Sequence, residues 1–253
     1  MDMPKLHSQV EETCMNAWPA LKEVHYDGWL IRLANGATRR TNSVNVIGPG
    51  RRPLAEKIEY CEAIYRAHNQ PSYFRLLSHT EPALEQALNA RGYRAEDETI
   101  TLYMNFARTR PQPPDGAVVT DVRDGRPTKA WLDAHRIHSR HTPEEAAALH
   151  AVLDAVAVPV FFAEARGEDG EIASVAFCGI HQKIACLQWV VTDPAQRRRG
   201  LSRAALQALL VRAEAAGARG ACLQVVAANA PAIALYKRLG FGCELYRYHY
   251  RVR

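Results

Sequence analysis

Hydrophobic and polar residues alternate with two periods along the C-terminal half of the chain, and the switches between them mark out elements. Val118–Val122 reads as a short strand. A helix is predicted from about Thr128 to Ser139, and another after Thr142-Pro143, with Thr142 as N-cap and Pro143 in the first turn. Val158–Arg166 and Ile172–His181 are strands around the turn Gly167-Glu168-Asp169-Gly170, and Ile184–Val191 is a third apolar strand. Leu201–Ala216 has helical periodicity and stops at Gly217. Ala221–Val226 is a buried strand, Ala230–Leu239 a helix and Glu244–Val252 a last strand. The order is β-α-α-β-β-β-α-β-α-β, and its late alternation demands a crossover and a parallel strand pair.

The N-terminal half is shorter in pattern. Val10–Ala17, Leu54–His68 and Pro82–Ala90 read as helices. Gly28–Leu33 and Thr41–Ile47 are strands around the hairpin signal Asn35-Gly36, with further strands at Tyr73–Leu77 and Thr99–Asn105. Between the halves, Ala107–Ala117 carries three prolines and a glycine, which neither helix nor central strand accepts. Residues 1–107, a linker 108–117 and residues 118–253 are therefore the expected units. Shifted by 148 residues, Ala221–Arg253 overlays Tyr73–Asn105, strand on strand and helix on helix, with Gly240-Phe241 on Gly92-Tyr93. Few residues are identical, so this is an echo of pattern.

Composition narrows the class. With 253 residues, 47% hydrophobic and 23% charged, the chain is ordinary globular protein. No apolar run approaches a bilayer span, and the N-terminus lacks a signal-peptide pattern, so the expected location is cytoplasmic, without membrane partners. A net charge of +5 permits an anionic ligand without demanding nucleic acid. The longest basic run, Arg197–Arg199, has no interleaved aromatics, and nucleic acid is not expected as a partner. Six cysteines occur without a CxxC pair, so buried thiols are expected and no metal.

Two segments carry chemistry. In residues 190–210 an apolar strand gives way to a loop and then to Arg197-x-x-Gly200-x-Ser202 opening a helix. The first amides of a helix lack intrahelical acceptors and can hold a phosphate or pyrophosphate. Gly200 permits close backbone approach, and Ser202 is small. A plain strand–helix turn with solvated arginines would look the same. In residues 229–241, Asn229 is a good N-cap, Ala232, Ile233 and Tyr236 share a helical face, and Gly240 closes the helix before Phe241. Taken alone, Tyr236 would read as a core tyrosine.

Together the segments resemble the GNAT superfamily of acyl-CoA-dependent N-acyltransferases. Its loop pattern, Arg/Gln-x-x-Gly-x-Gly/Ala, is met by Arg197, Gly200 and Ser202, with serine as a modest departure. Its later pattern is matched at Asn229, Ala232, Leu235, Tyr236, Gly240 and Phe241. The resemblance covers about 118–253 and implies an α/β (α+β) GNAT fold: a mixed, mostly antiparallel central sheet flanked by helices. It implies acetyl-CoA as cosubstrate, with the backbone of Arg198, Arg199, Gly200, Leu201, Ser202 and Arg203 around the pyrophosphate. The strand ending at Val190–Val191 would pair with the pantetheine arm, splayed from strand 221–226. Asn229 would touch the pantetheine, and Tyr236 would act as general acid toward the departing thiolate.

The chain departs from the family where many members carry a glutamate. The stretch Cys186-Leu187-Gln188-Trp189 has no carboxylate, and Glu164, His138, His181, Asp193 or a water remain open as the base. His135, His138 and His141 suit an acceptor pocket or a solvated helix surface better than a metal. In the echo Leu88 stands where Tyr236 does and Glu81 where Asn229 does, and the loop 48–52 lacks the phosphate-loop spacing. The first half thus resembles a degenerate GNAT-like unit that walls the acceptor site, with Trp29, Arg32, Arg39, Arg40 and Asn42 near it or in ordinary strand positions. The expected activity is direct acetyl transfer to a primary amine, on a small molecule or peptide, in a ternary complex. The alternative is a non-catalytic acyl-CoA-binding regulatory module. A homodimer is compatible with either.

Overall fold

The last strand of each half lies beside a strand of the other half, at the centre of one sheet. A computed structural model describes residues 3–35 and 38–253 and shows this arrangement. Its elements are α1 (Met3–Ala17), β1 (Lys22–Tyr26), β2 (Trp29–Leu33), β3 (Val44–Val46), α2 (Leu54–Ala67), β4 (Phe74–Leu77), α3 (Pro82–Ala90) and β5 (Arg94–Asn105), then β6 (Thr120–Asp124), α4 (Lys129–Ser139), α5 (Pro143–Asp154), β7 (Val160–Arg166), β8 (Ile172–His181), β9 (Ile184–Thr192), α6 (Leu201–Ala215), β10 (Gly220–Val226), α7 (Ala230–Leu239) and β11 (Cys243–Val252). The strand order is β1-β2-β3-β4-β11-β5-β10-β9-β8-β7-β6. Pairing is antiparallel except at β3–β4 and β9–β10.

The echo of pattern becomes a symmetry at the sheet's centre. β4, α3 and β5 correspond to β10, α7 and β11. Each unit's last strand has crossed to its neighbour, so β11 pairs with β4, β5 pairs with β10, and β5 and β11 pair with each other.

Local sequence explains the elements. Thr142 caps α5 in a reciprocal box with Glu145, the Glu145 amide donating to Thr142 Oγ1 at 3.2 Å and the Thr142 amide to Glu145 Oε2 at 2.9 Å. Asn229 caps α7 by accepting from the Ala232 amide at 3.2 Å. Gly240 ends it at φ +106°, where a Cβ would also meet Thr109 Cγ2 at 2.6 Å. The first strand, β1, is missing from the sequence-based expectation. It pairs with β2 through Asp27 and Gly28, both at positive φ. Of the expected hairpin signal Asn35-Gly36, Gly36 lies outside the described residues.

Two faces cover the sheet. Leu201, Leu206 and Leu209 of α6, with Tyr236 and Phe241, pack on Leu187 and Leu223. On the opposite face, Leu6, Val10 and Cys14 of α1 pack against Cys186 and Cys222. Trp131 and Ala134 of α4 pack there on Val175 and Phe177. The helix α1 belongs to the first half in sequence but lies on β8, β9 and β10 of the second. Its Glu11 meets buried Arg75 of β4 in a bidentate ion pair and accepts from the Tyr246 hydroxyl. Burial pushes the Glu11 carboxyl up, but the Arg75 guanidinium outweighs it and holds the carboxyl below its ordinary value.

Candidate active site

The strands β9 and β10 run parallel only from Ile184–Gly220 to Leu187–Leu223, and then part. On the other side of β9 the register slips by one residue, because Val175 faces Val191 while Phe177 faces Gln188. Trp189 sits in this bulge at φ +51°. The bulge bends β9 away from β10, and Val190 and Val191 follow with no strand on the β10 side. The result is a slot through the sheet, with α6 and α7 on one face and α1 and α4 on the other.

At the mouth of the slot the chain turns through residues 193–200 into α6. Arg198 has φ +64° and Gly200, the N-cap of α6, has φ +81°. Among the described residues no side chain caps this helix, so the amides of Leu201, Ser202 and Arg203 are left for an external acceptor. Arg198 and Arg203 are exposed and form no ion pair among the described residues, while exposed Arg199 lies 3.3 Å from Glu168. Ser202 does more than stay small. Its hydroxyl is bonded to that of Thr192, which in turn meets the Ser174 hydroxyl at 2.8 Å, tying the start of α6 to β9 and β8.

Tyr236 is buried to 8% exposure, its ring 6.3 Å from that of Phe241. Its hydroxyl has no hydrogen-bond partner among the described residues, and burial pushes the phenol up to about 12. Asn229 is exposed at the top of α7, its Oδ1 engaged as the cap.

The open candidates for a base are mostly engaged. Glu164 is buried and paired with Arg166 at 2.6 Å. The His138 Nε2 contacts the Ile172 carbonyl at 2.8 Å, and Asp193 Oδ1 accepts from the Ala195 amide at 2.9 Å. His181 ends β8 beside Ile184, at the far end of β9 from the slot.

His135 is no solvated side chain. It is 2% exposed and packs nearly parallel to Trp189, 4.0 Å away centre to centre, and to Trp131 at 5.7 Å, the two indoles themselves being 6.2 Å apart. Burial, followed by the neighbouring His141, His150 and His138, depresses the imidazole to about 3, so it is neutral at physiological pH. Its Nδ1 is buried and has no hydrogen-bond partner among the described residues.

The first half reaches this place with Arg40, whose Nη1 donates to Gln188 Oε1 at 2.8 Å. The other candidates there are structural. Arg32 ties up the carbonyls of Trp18, Met15 and Arg40, Arg39 pairs with Glu96 and Asp97, Asn42 holds the 38–41 turn, and Trp29 lies under Lys57. One grouping was hidden from the sequence. Cys14, Cys186 and Cys222 converge below the slot, with Sγ separations of 3.6 Å and 3.9 Å from Cys14. The three sulfur atoms lie within 4.8 Å of one another, a spacing that suits a soft metal ion. Among the described residues the histidines of 135–141 form no such group, and no helix is long and apolar enough to cross a membrane.

A bulged strand parting from its parallel neighbour, an uncapped helix N-terminus beyond it and a tyrosine on the following helix define an N-acetyltransferase of the GNAT superfamily. The chain belongs to the family described as "Probable histone acetyltransferase Rv0428c C-terminal", whose model matches residues 8–252. It is similar to the uncharacterized N-acetyltransferase YobR of Bacillus subtilis (strain 168), with 21% identity over 245 residues, 97% of this chain and 98% of the relative. The [Ribosomal protein bS18]-alanine N-acetyltransferase of Escherichia coli (strain K12) is 35% identical over 126 residues, 45% of this chain and 85% of that enzyme. A GCN5-related N-acetyltransferase from Kribbella flavida shares the fold at a TM-score of 0.71 and 17% identity, over 99% of this chain and 95% of its own.

Proposed function

We propose that the protein moves the acetyl group of acetyl-CoA onto a primary amine by direct attack in a ternary complex. The observation that carries this is the slot beyond Leu187 and Leu223, with amides at its mouth that no side chain caps and a phenol on the following helix that has no partner, both among the described residues. The backbone of Arg198, Arg199, Gly200, Leu201, Ser202 and Arg203 receives the pyrophosphate, where helix amides and arginines both favour negative charge. The free edge of Val190 and Val191 pairs with the pantetheine arm and directs an amide at the thioester carbonyl, whose oxygen gains charge as the amine adds. Asn229 borders the pantetheine from the other side.

Tyr236 donates a hydrogen bond to the departing thiolate. With the phenol near 12, complete proton transfer to a thiolate of ordinary pKa is uphill by about 5 kcal/mol, so stabilisation by the hydrogen bond is the larger contribution. A neutral amine needs little help if it is an α-amine, with a pKa of about 8. The relative from Escherichia coli, named for an alanine N-acetyltransferase activity, supports an amine of that kind. Calorimetry with CoA and acetyl-CoA, followed by thiol release with a panel of amines, tests the proposal. Binding with amine-dependent thiol release is expected, and no heat with either coenzyme form overturns it.

A further inference from the structure

Three thiols that lie far apart in sequence meet where the first helix crosses the floor of the slot. Cys186 and Cys222 are register partners on the parallel strands β9 and β10, one position before the last paired residues, and so turn their side chains to the same face. Cys14 of α1 packs on them from that face, its Sγ 3.6 Å from that of Cys186 and 3.9 Å from that of Cys222, with all three sulfurs within 4.8 Å of one another. Cys14 stands 172 and 208 residues from its two neighbours, so no short ligand spacing announces the group.

The arrangement is that of a ligand set. An ion bonded at about 2.3 Å to three coplanar sulfurs holds them about 4.0 Å apart, close to both separations from Cys14. Hard cations seek oxygen ligands, and structural zinc takes four donors. Among the described residues no fourth cysteine, histidine or carboxylate joins the group. Three thiols without a fourth donor fit copper(I), which is soft and accepts three sulfurs.

The surroundings suit the charge of such a site. Thiols bind metal as thiolates, so the filled group is anionic. Gln188 Nε2 donates to Cys186 Sγ at 3.2 Å, and behind it Arg40 donates to Gln188 Oε1 at 2.8 Å. Among the described residues Arg40 has no carboxylate partner, whereas Arg32 and Arg75 have Glu23 and Glu11. One guanidinium is thus left over to offset the metal–thiolate charge. Cys186 and Cys222 are fully buried, but Cys14 lines a narrow, half-open space of about water size. Met15 lines the same space and offers an incoming ion a thioether, a second soft donor, on the way to the thiols.

We propose that Cys14, Cys186 and Cys222 form a copper(I) site that pins α1 of the first half to β9 and β10 of the second. No redox change is involved: the metal enters as copper(I), and the proton of each thiol that binds as thiolate leaves to solvent. The ion fastens the helix directly under the point where the two strands part. The assignment does not rest on the acetyl transfer proposed above.

The test uses the full-length protein carrying Cys243→Ser, which lacks the exposed thiol. Kept reduced and free of oxygen, it is titrated to equilibrium against the coloured bicinchoninate complex of copper(I). Withdrawal of one equivalent per chain is expected, with a rise of about 5 °C or more in the thermal midpoint. Cys14→Ser and Cys222→Ala should each weaken uptake by about a hundredfold or more. Cys61→Ala, which removes a buried thiol outside the group, should leave it unchanged. Circular dichroism of the metal-free variants shows that each is folded. X-ray absorption by the loaded protein should count three sulfur neighbours at about 2.3 Å, and it decides the matter even if a variant does not fold. No withdrawal of copper, uptake that Cys14→Ser leaves unchanged, or nearest neighbours that are nitrogen or oxygen overturns the site, and the three thiols are then packed as apolar groups only. Zinc(II) bound as one equivalent where copper(I) is not overturns the choice of ion.

Discussion

The imidazole of His135 stacks at 4.0 Å on the indole of Trp189, the residue that bulges β9 away from β10. A helix of the second half thereby braces the strand that opens the slot. Because the His135 ring is depressed to about 3, against about 6.5 in an unfolded chain, the fold prefers it neutral. Its contribution is complete above pH 6.5 and is lost as pH falls toward 3. Wild type should lose about 2 kcal/mol more than His135→Phe between pH 7 and pH 5, since Phe keeps the stack and cannot protonate. Urea unfolding at the two pH values measures this, and equal losses would exclude His135 as the acid-sensitive group.

Tyr236→Phe removes a phenol that has no hydrogen-bond partner among the described residues. The expected loss in kcat is about 10–100-fold, within or below the usual range for a lost acid, with little change in the dissociation constant of CoA. Because the phenol sits near 12, its ionisation does not limit the wild-type rate below about pH 11. An alkaline fall in activity near pH 9 that Tyr236→Phe abolishes would show that the phenol titrates far lower.

Gly200→Ala should weaken coenzyme binding without unfolding the protein. Among the described residues no atom beyond its two chain neighbours lies within 4 Å of the added Cβ, so the cost is that of φ +81°, about 1 kcal/mol. Relaxing that angle turns the first amides of α6 off their common point. A rise of about fivefold or more in the dissociation constant is expected by calorimetry. Gly200→Asn, which tolerates the left-handed region better, should recover part of it.

The thiols should separate into two classes. Cys243 is exposed and the other five are buried. Native protein should therefore release one equivalent quickly with a disulfide reagent and the rest only on unfolding. Cys243→Ser should remove the fast equivalent, and fast reaction of Cys14, Cys186 or Cys222 would mean that α1 lifts from β9 and β10.

The second half was legible nearly element by element, because caps such as Thr142 and Asn229 and the closing Gly240 are local signals. The strand β1 was missed, although Asp27-Gly28 is a hairpin signal and Lys22–Tyr26 lies beside it. The bulge at Trp189 leaves no mark in a short apolar run, since one extra residue does not change its composition. Arg40 and Gln188, which meet in the site, come from separate halves of the chain, as the three clustered cysteines come from three elements. No periodicity of a single chain brings such residues together, because only the pairing of β4 with β11 and of β5 with β10 does.

That crossed pairing also sets a timetable. As the chain leaves the ribosome, β4 waits with an open edge while some 160 more residues are made, because the strand that covers it is β11. The N-terminal portion can gather its helices early, yet it stays unfinished until β11 itself is released. A premature stop anywhere before β11 should therefore leave both portions exposed, and not a shortened enzyme.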